Sequence, residues 1–247
     1  MNHIFGSPAP RPVARKFALS CAAVLVLTAG AALWAVSAPS ARTQPASPDR
    51  ARYLQAGRKS PLEKVKWEKV FSLMFDDAGE LSRFTQAAGQ WEIRDGKLWA
   101  AAGEKNRTIL LAHVSGPTLR IEFEATSFAD AAGALGDITV LLNASPGKSA
   151  TANGYALTTG SYMNTCTTFY RQGRKLARTE YSPVVSGKIN RMAIEFDRGH
   201  IRYWMNDEIL LECWDENPLP IDGSLWMGVR TWATRMAIDN LTVYKPG

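Results

Sequence analysis

The sequence predicts an all-β fold in which two antiparallel sheets pack against each other as a sandwich. Short runs of β-forming residues recur through the last three quarters of the chain, and Gly, Asn, Asp and Pro separate them. Several of these runs alternate apolar and polar side chains, as half-buried strands do. About a dozen strands in roughly 185 residues favour one two-sheet domain over two small ones.

The predicted strands follow one another with short connections. They are Lys69–Phe75, Trp91–Ile93, Lys97–Ala101, Thr108–Val114, Thr118–Ser127, Asp137–Asn143, Tyr155–Thr159, Cys166–Arg171, Arg191–Asp197, Ile201–Met205, Ile209–Cys213, Leu225–Thr231 and Met236–Tyr244. Tight turns are predicted at residues 94–96, 172–173, 197–199 and 206–207, because Gly, Asn and Asp tolerate the positive φ that hairpins require. Only Asp77–Ala87 is predicted to be helical.

The N-terminal residues have the pattern of an export signal. Arg11, Arg15 and Lys16 precede an uncharged and mainly apolar run that continues to residue 41. This order characterises secretory signals, and about 20 apolar residues also suffice for an uncleaved membrane anchor. We therefore expect a signal peptide or anchor at residues 1–41, a flexible linker at 42–62, and a folded domain at 63–247 outside the cytoplasm.

The positive charge of the chain is concentrated in the same N-terminal part. The sequence holds 29 Lys and Arg against 23 Asp and Glu, a net charge of +6. Residues 1–60 contain eight of the bases and one acid, which leaves 21 bases and 22 acids for residues 61–247. Nucleic-acid-binding domains carry excess positive charge on the folded body, so we expect no nucleic-acid partner. Membrane contact is expected only through the N-terminal segment.

Two of the three cysteines belong to the folded domain. Cys21 lies in the N-terminal apolar segment, and Cys166 and Cys213 lie in predicted strands. In an oxidising compartment these two could form a disulfide. The alternative is a pair of buried thiols in separate strands, since free cysteine buries readily.

The strand Leu225–Thr231 and the residue after it predict a ligand-binding face. Period-two alternation puts Trp226, Arg230 and Trp232 on one side of the strand with Gly228 between them, and apolar residues on the other. Aromatic rings offer flat apolar area to a sugar ring, and a guanidinium binds hydroxyls or a carboxylate. The alternative is a second hydrophobic layer.

The strand Thr118–Ser127 also has two distinct sides. Glu122 and Glu124 share its polar side with Arg120. Two carboxylates on one side of a strand are candidates for an acid and a base. The alternative is a solvated polar face.

Six short motifs, in this order along the chain, carry a resemblance to a known family. They are Trp91–Leu98, Gly154–Leu157, Tyr170–Arg174, Ile201–Leu211 with Asn206–Glu208 inside it, Gly228–Thr231 and Ile238–Val243. Over residues 68–245 the chain resembles the concanavalin A-like lectin/glucanase superfamily of jelly-roll sandwiches. Its motifs are most similar to those of secreted domains related to 3-keto-disaccharide hydrolases and to plant-polysaccharide utilisation. The resemblance implies a glycan-related role.

The candidate site residues combine the strand patterns with this resemblance. The superfamily's glucanases carry a Glu-x-Asp-x-x-Glu strand that does not occur in this sequence, so binding ranks before cleavage. Arg171 opens a basic hairpin that could attract an anionic glycan. The candidate proton-transfer groups are Glu122, Glu124 and Tyr155, and the candidate substrate-binding residues are Trp226, Arg230, Trp232, Arg171 and Trp204.

No metal centre and no organic cofactor are predicted. His200 lies at a predicted hairpin, where we expect a solvated turn residue. A structural calcium ion remains an alternative at the oxygen-rich loops containing Asp215, Glu216 and Asn217, or Asp222.

The leading hypothesis is an exported domain that binds an oligo- or polysaccharide on its concave sheet. The alternatives are a glycoside hydrolase or lyase acting on that glycan, and a non-catalytic protein of the cell envelope. An exposed Trp in the groove favours binding, converging acids beside it favour an enzyme, and tryptophans covered by loops favour the envelope protein.

Overall fold

The computed structural model describes residues 60–100, 106–130, 133–144, 153–221 and 223–247. The predicted signal or anchor and most of the linker lie outside these ranges, as does Asp222. Within the ranges, no helix combines the length and the apolar character needed to cross a bilayer.

The described chain is β nearly throughout. Its fifteen strands are β1 (Trp67–Leu73), β2 (Phe84–Ala88), β3 (Trp91–Arg94), β4 (Lys97–Ala100), β5 (Asn106–Ser115), β6 (Thr118–Phe128), β7 (Ile138–Ala144), β8 (Tyr155–Gly160), β9 (Cys166–Arg171), β10 (Arg174–Thr179), β11 (Asn190–Asp197), β12 (His200–Met205), β13 (Glu208–Trp214), β14 (Ser224–Trp232) and β15 (Arg235–Pro246). The other elements are two 3₁₀ helices, Pro61–Lys64 and Ala78–Arg83, and one helical turn, Ser161–Asn164.

The strands form two antiparallel sheets. The eight-stranded sheet has the order β13-β12-β11-β6-β15-β4-β3, and β1 pairs with β15 beside this path. The seven-stranded sheet has the order β10-β9-β8-β7-β14-β5-β2. The predicted two-sheet sandwich is confirmed.

The core lies between the two sheets and follows the predicted alternation. In β6, buried and half-buried residues alternate along the whole strand, and Leu119, Ile121 and Phe123 are among the buried ones. In β14, the buried set includes Leu225 and Val229. We call the side of each sheet that is turned away from this core its outward face.

Two edge strands were not predicted. The predicted helix Asp77–Ala87 is a 3₁₀ helix, Ala78–Arg83, that the Asp77 carboxylate caps at Gly79, and it is followed directly by β2. The second missed strand, β10, begins Arg-Lys and lies at the edge of the seven-stranded sheet. Charged residues are frequent on edge strands, where they discourage pairing with other chains.

Both domain cysteines are free and buried, which contradicts a Cys166–Cys213 disulfide. Cys213 lies in the core on β13 of the eight-stranded sheet. Cys166 lies on β9 of the seven-stranded sheet, three residues from the core residue Phe169, so its side chain points away from the core. Burial raises the pKa of the Cys213 thiol. The two thiols face different layers and have no route to a bond.

Candidate functional site

A cleft of about 580 Å³ lies on the outward face of the seven-stranded sheet, at one end of the sandwich. Its floor includes Thr158 of β8 and Arg230 of β14. Exposed side chains at its rim include Tyr162, Met163 and Trp232. The end of β8 and the end of β14 meet here because both strands run antiparallel to β7, which lies between them.

The predicted set on β14 is on this outward face, as the alternation required. Trp232 is 47% exposed at the rim of the cleft. The Arg230 guanidinium lies 5.1 Å from the centroid of the Trp232 ring, a cation–π contact. Trp226 is half-buried against Leu141 and Ala156, on the same face but outside the cleft.

Asp137, which the sequence did not single out, organises the floor of the cleft. Its carboxylate accepts the backbone N–H of Trp232 at 2.7 Å and the Thr139 hydroxyl at 3.0 Å. The Arg230 guanidinium lies 3.5 Å from the same carboxylate. Burial raises the pKa of Asp137, and the positive charge of Arg230 opposes that shift. A buried carboxylate therefore holds both the backbone of Trp232 and the side chain of Arg230 in place.

A left-handed turn presents the opposite part of the rim. Tyr162, Met163 and Asn164 have φ values of 50°, 61° and 63°. The Asn164 amide donates to the Val184 carbonyl at 2.7 Å and its oxygen accepts from the Ser182 hydroxyl at 2.5 Å. Left-handed backbone is unfavourable for residues with a Cβ and persists where surrounding contacts enforce it.

Two further aromatic contacts complete this part of the cleft. Tyr162 is 66% exposed, and the Arg178 guanidinium lies 5.0 Å from the centroid of its ring. Tyr170 lines the same cleft, and burial together with the neighbouring Tyr162 raises the pKa of Tyr170. The positive φ values of Tyr162 and Met163 have no signal in the sequence, whereas Asn164 is a residue type that tolerates this conformation.

Glu122, Glu124 and Trp204 lie on the other sheet, so the structure does not bring them to the cleft. They line a depression of about 360 Å³ on the outward face of the eight-stranded sheet. Glu122 contacts Arg120 at 2.6 Å and accepts the Tyr244 hydroxyl at 2.9 Å. These contacts correspond to the polar-face alternative for the two glutamates.

Tyr155, the third candidate for proton transfer, is fully buried in the core and does not line the cleft. Its ring stacks on Phe169 with centroids 5.5 Å apart. Its hydroxyl donates to Asp215 at 2.8 Å and accepts the backbone N–H of Leu219 at 2.8 Å. Burial is the main reason that the pKa of Tyr155 is raised. The residue ties β8 to the segment after β13.

Arg171 belongs to the same structural cluster and not to the cleft. Its Nε lies 3.2 Å from the Asp215 carboxylate. Asp215 also accepts the backbone N–H of Asn217 at 3.1 Å, so its oxygens already serve protein donors in the loop considered for calcium. Among the residues that the structure describes, no group of three or more His, Cys, Asp and Glu side chains could hold a metal ion.

His200 is buried, which contradicts the expected solvated turn residue. It is 3% exposed and stacks on Trp214 with centroids 4.0 Å apart. Its Nε2 lies 2.9 Å from Glu212. Burial lowers the pKa of His200, and the hydrogen bond to Glu212 opposes that shift.

Comparison with solved structures identifies the fold. A carbohydrate-binding module of Bacillus subtilis, CBM66, superposes with a TM-score of 0.53 and 15% identity, covering 66% of this chain and 96% of that one. The carbohydrate recognition domain of Emp46p gives 0.58 and 14%, covering 74% and 100%. The laminarinase of Rhodothermus marinus gives 0.56 and 12%, covering 74% and 99%.

The domain has a concanavalin A-like jelly-roll fold. At these identities the likeness to solved structures establishes the fold alone. No protein-family model and no curated protein matches the sequence. The similarity of this jelly roll to 3-keto-disaccharide hydrolase-like domains therefore stays a prediction.

Proposed function

We propose that this jelly roll is an exported domain that binds an oligo- or polysaccharide in the cleft of its seven-stranded sheet. The observation that carries the proposal is the pair of exposed rings, Tyr162 and Trp232, at the rim of a cleft whose floor presents Arg230. Asp137 holds the backbone of Trp232 and the side chain of Arg230 in position.

Exposed aromatic rings beside a polar floor suit the amphipathic surface of a sugar. A pyranose has a face of C–H groups that packs on a flat ring, and hydroxyls at its edges that require hydrogen-bond partners. Large rings are energetically costly to leave in water, so an exposed pair in one cleft indicates a binding surface. A guanidinium over one face of each ring orients it and leaves the rest of its surface for a ligand.

Binding is favoured over cleavage because the candidate acids are elsewhere. Glu122 and Glu124 line the opposite outward face, and Tyr155 lies in the core. Asp137 does line the cleft, but its carboxylate is 9% exposed and already accepts hydrogen bonds from Trp232 and Thr139. A general acid must reach the glycosidic oxygen of the substrate.

The structural neighbours and the N-terminal sequence support the same proposal. Two of the neighbours are named as a carbohydrate-binding module and a carbohydrate recognition domain. The basic and apolar leader of the sequence supports export to a compartment where polysaccharides are accessible. The envelope-protein alternative required covered tryptophans, whereas Trp232 is 47% exposed.

The test is a glycan array and polysaccharide pull-down of the full-length protein, with a reducing-sugar assay in parallel. Trp232→Ala is expected to weaken binding by about 1–2 kcal/mol, roughly 5–30-fold, because about half of its surface remains to be buried by a ligand. Trp204→Ala, on the opposite sheet, is the matched control and is expected to leave the affinity unchanged. Binding to no glycan would refute the proposal, and release of reducing sugar would favour a hydrolase.

A further inference from the structure

The charged side chains of the cleft include more carboxylates than cations. Among the described residues that line it, those with a charged side chain are Asp130, Asp137 and Arg230. Two carboxylates therefore accompany one guanidinium in the space where the sugar is proposed to bind.

The guanidinium of Arg230 already has a carboxylate as its partner. Its Nη1 lies 3.5 Å from the Asp137 carboxylate, and its side chain is only 14% exposed. The same guanidinium lies over the ring of Trp232. A carboxylate of a ligand beside Arg230 would share this cation with Asp137, and the two like charges would repel each other. A hydroxyl carries no charge and meets no such repulsion.

The guanidinium at the opposite rim is paired in the same way. Arg178, which lies over the ring of Tyr162, contacts the Glu180 carboxylate through Nε at 2.7 Å and through Nη2 at 2.8 Å. The Glu180 side chain is 60% exposed, so an anion that approaches Tyr162 meets this negative charge as well. Each arginine that contacts an exposed ring of the rim therefore comes with its own carboxylate.

The other lining carboxylate, Asp130, is exposed at the mouth of the cleft. One of its oxygens accepts the backbone N–H of Ala134 at 2.8 Å, which fixes the carboxylate in its loop. A negative charge held at the entrance raises the energy of a second negative charge that enters.

The basic hairpin between β9 and β10 lies beside the cleft. Gly173 lines the cleft, whereas its exposed neighbours Arg174 and Lys175 do not. Arg171 is paired with Asp215. Because water and salt screen exposed charges, we expect Arg174 and Lys175 to contribute little at the floor of the cleft.

We infer that the ligand is an uncharged glycan and that the cleft discriminates against saccharides bearing carboxylates or sulfates. This inference rests on the proposed function, because it names the class of sugar that the same cleft selects. The discrimination arises where an anionic group of the ligand would meet the like charges of Asp130 and Asp137.

Matched ligand pairs that differ in charge test the inference with the full-length protein. β-1,4-Mannohexaose is compared with β-1,4-hexamannuronate, and cellohexaose with its C6-oxidised form, so that each pair differs only in CH₂OH against carboxylate. Dextran and dextran sulfate test a sulfate in place of a carboxylate. The same comparison is made for the best array ligand, after C6 oxidation if it is neutral, or after carboxyl reduction or desulfation if it is acidic.

The neutral member of each pair that binds is expected to bind about fivefold more tightly at 50 mM NaCl. At 500 mM NaCl the difference is expected to fall to about twofold, because salt screens the repulsion. The affinity for the neutral member is expected to change by less than about twofold between the two salt concentrations.

Variants show whether the carboxylates of the cleft cause the preference. Asp130→Asn removes the charge at the entrance and keeps an oxygen for the Ala134 N–H, and it is expected to reduce the preference to about half. Asp207→Asn, at an acid that is 79% exposed on the other sheet, is the matched control and is expected to retain the preference. Lys175→Gln is also expected to retain it.

The outcomes separate this inference from the proposed function. Equal or tighter binding of the charged member would overturn the inference and leave carbohydrate binding intact, and a loss of that tighter binding in Lys175→Gln would assign it to the basic hairpin. A neutral preference that Asp130→Asn leaves unchanged would overturn the origin inferred for it. Binding of no pair member and of no array glycan would overturn the proposed function, and the inference with it.

Discussion

Replacing Tyr155 with Phe removes one hydroxyl from the core and leaves the stacked ring. That hydroxyl donates to the Asp215 carboxylate and accepts the Leu219 N–H, both at 2.8 Å. Leaving a buried donor or acceptor unpaired costs about 1–3 kcal/mol, so the double loss costs about 2–4 kcal/mol once the remaining contact of Arg171 with Asp215 is considered. For a domain of this size that corresponds to a fall in Tm of roughly 4–16 °C.

Urea and thermal unfolding, followed by tryptophan fluorescence, measure this loss. The control is Tyr244→Phe, whose hydroxyl contacts Glu122 on a half-exposed outward face and whose loss is expected to cost less than about 1 kcal/mol. Glycan binding by folded Tyr155→Phe is expected to equal that of the wild type. A loss of stability below about 0.5 kcal/mol, or equal losses in the two variants, would refute the reasoning. If the wild type released reducing sugar and folded Tyr155→Phe did not, a catalytic role for Tyr155 would be supported.

Three further predictions concern other parts of the sandwich. Burial lowers the pKa of His200, so the unfolded chain takes up this proton at higher pH than the folded protein does. Below about pH 6.5, the free energy of unfolding should therefore decrease with falling pH more steeply for the wild type than for His200→Gln. The difference in slope is up to about 1.4 kcal/mol per pH unit. Gly154→Ala should cost at least about 1–3 kcal/mol, because its Cβ would lie 2.5 Å from the Asn143 carbonyl oxygen. Without reductant, iodoacetamide should label Cys166 and Cys213 after unfolding and neither thiol in the folded protein.

Each of these predictions has a result that contradicts it. The unfolding free energies of the wild type and His200→Gln are measured by urea titration at pH 7.5, 6.0 and 5.0. An equal dependence on pH in the two proteins would show that the proton affinity of His200 does not change on folding. If Gly154→Ala were as stable as the wild type, the backbone at residue 154 could move away from the Asn143 carbonyl at no cost. Labelling of Cys166 and Cys213 only after reduction would establish the disulfide that the structure contradicts.

The alternation of side chains predicted local orientation correctly, because it depends only on the geometry of a single strand. Trp226, Arg230 and Trp232 do share one face of β14, and Glu122 and Glu124 share one face of β6. The sheet to which each strand belongs depends on pairing between residues far apart in sequence. The sequence therefore did not reveal that the two candidate sets lie on opposite sides of the sandwich.

The sequence could not decide between a core and a site position for Tyr155 for a different reason. All six residues of β8 are buried, so neither side of that strand has a polar pattern that marks the solvent. Asp137 was also missed, because its role arises from the contact with Trp232, 95 positions later in the chain. The turn at Met163 depends on the hydrogen bonds of Asn164 to a distant loop.

The pairing of the first and last strands determines how the cleft is presented. Trp67 lies opposite Pro246 in the sheet. Pro246 lines a shallow pocket together with Gly116 and Gly223. The strand that starts just after Gly223 runs nine residues to Trp232 at the cleft, about 30 Å at 3.3 Å per residue. The chain thus joins the sandwich at one end and offers its cleft at the other. The cleft therefore opens about the length of one nine-residue strand away from the end of the sandwich at which β1 begins.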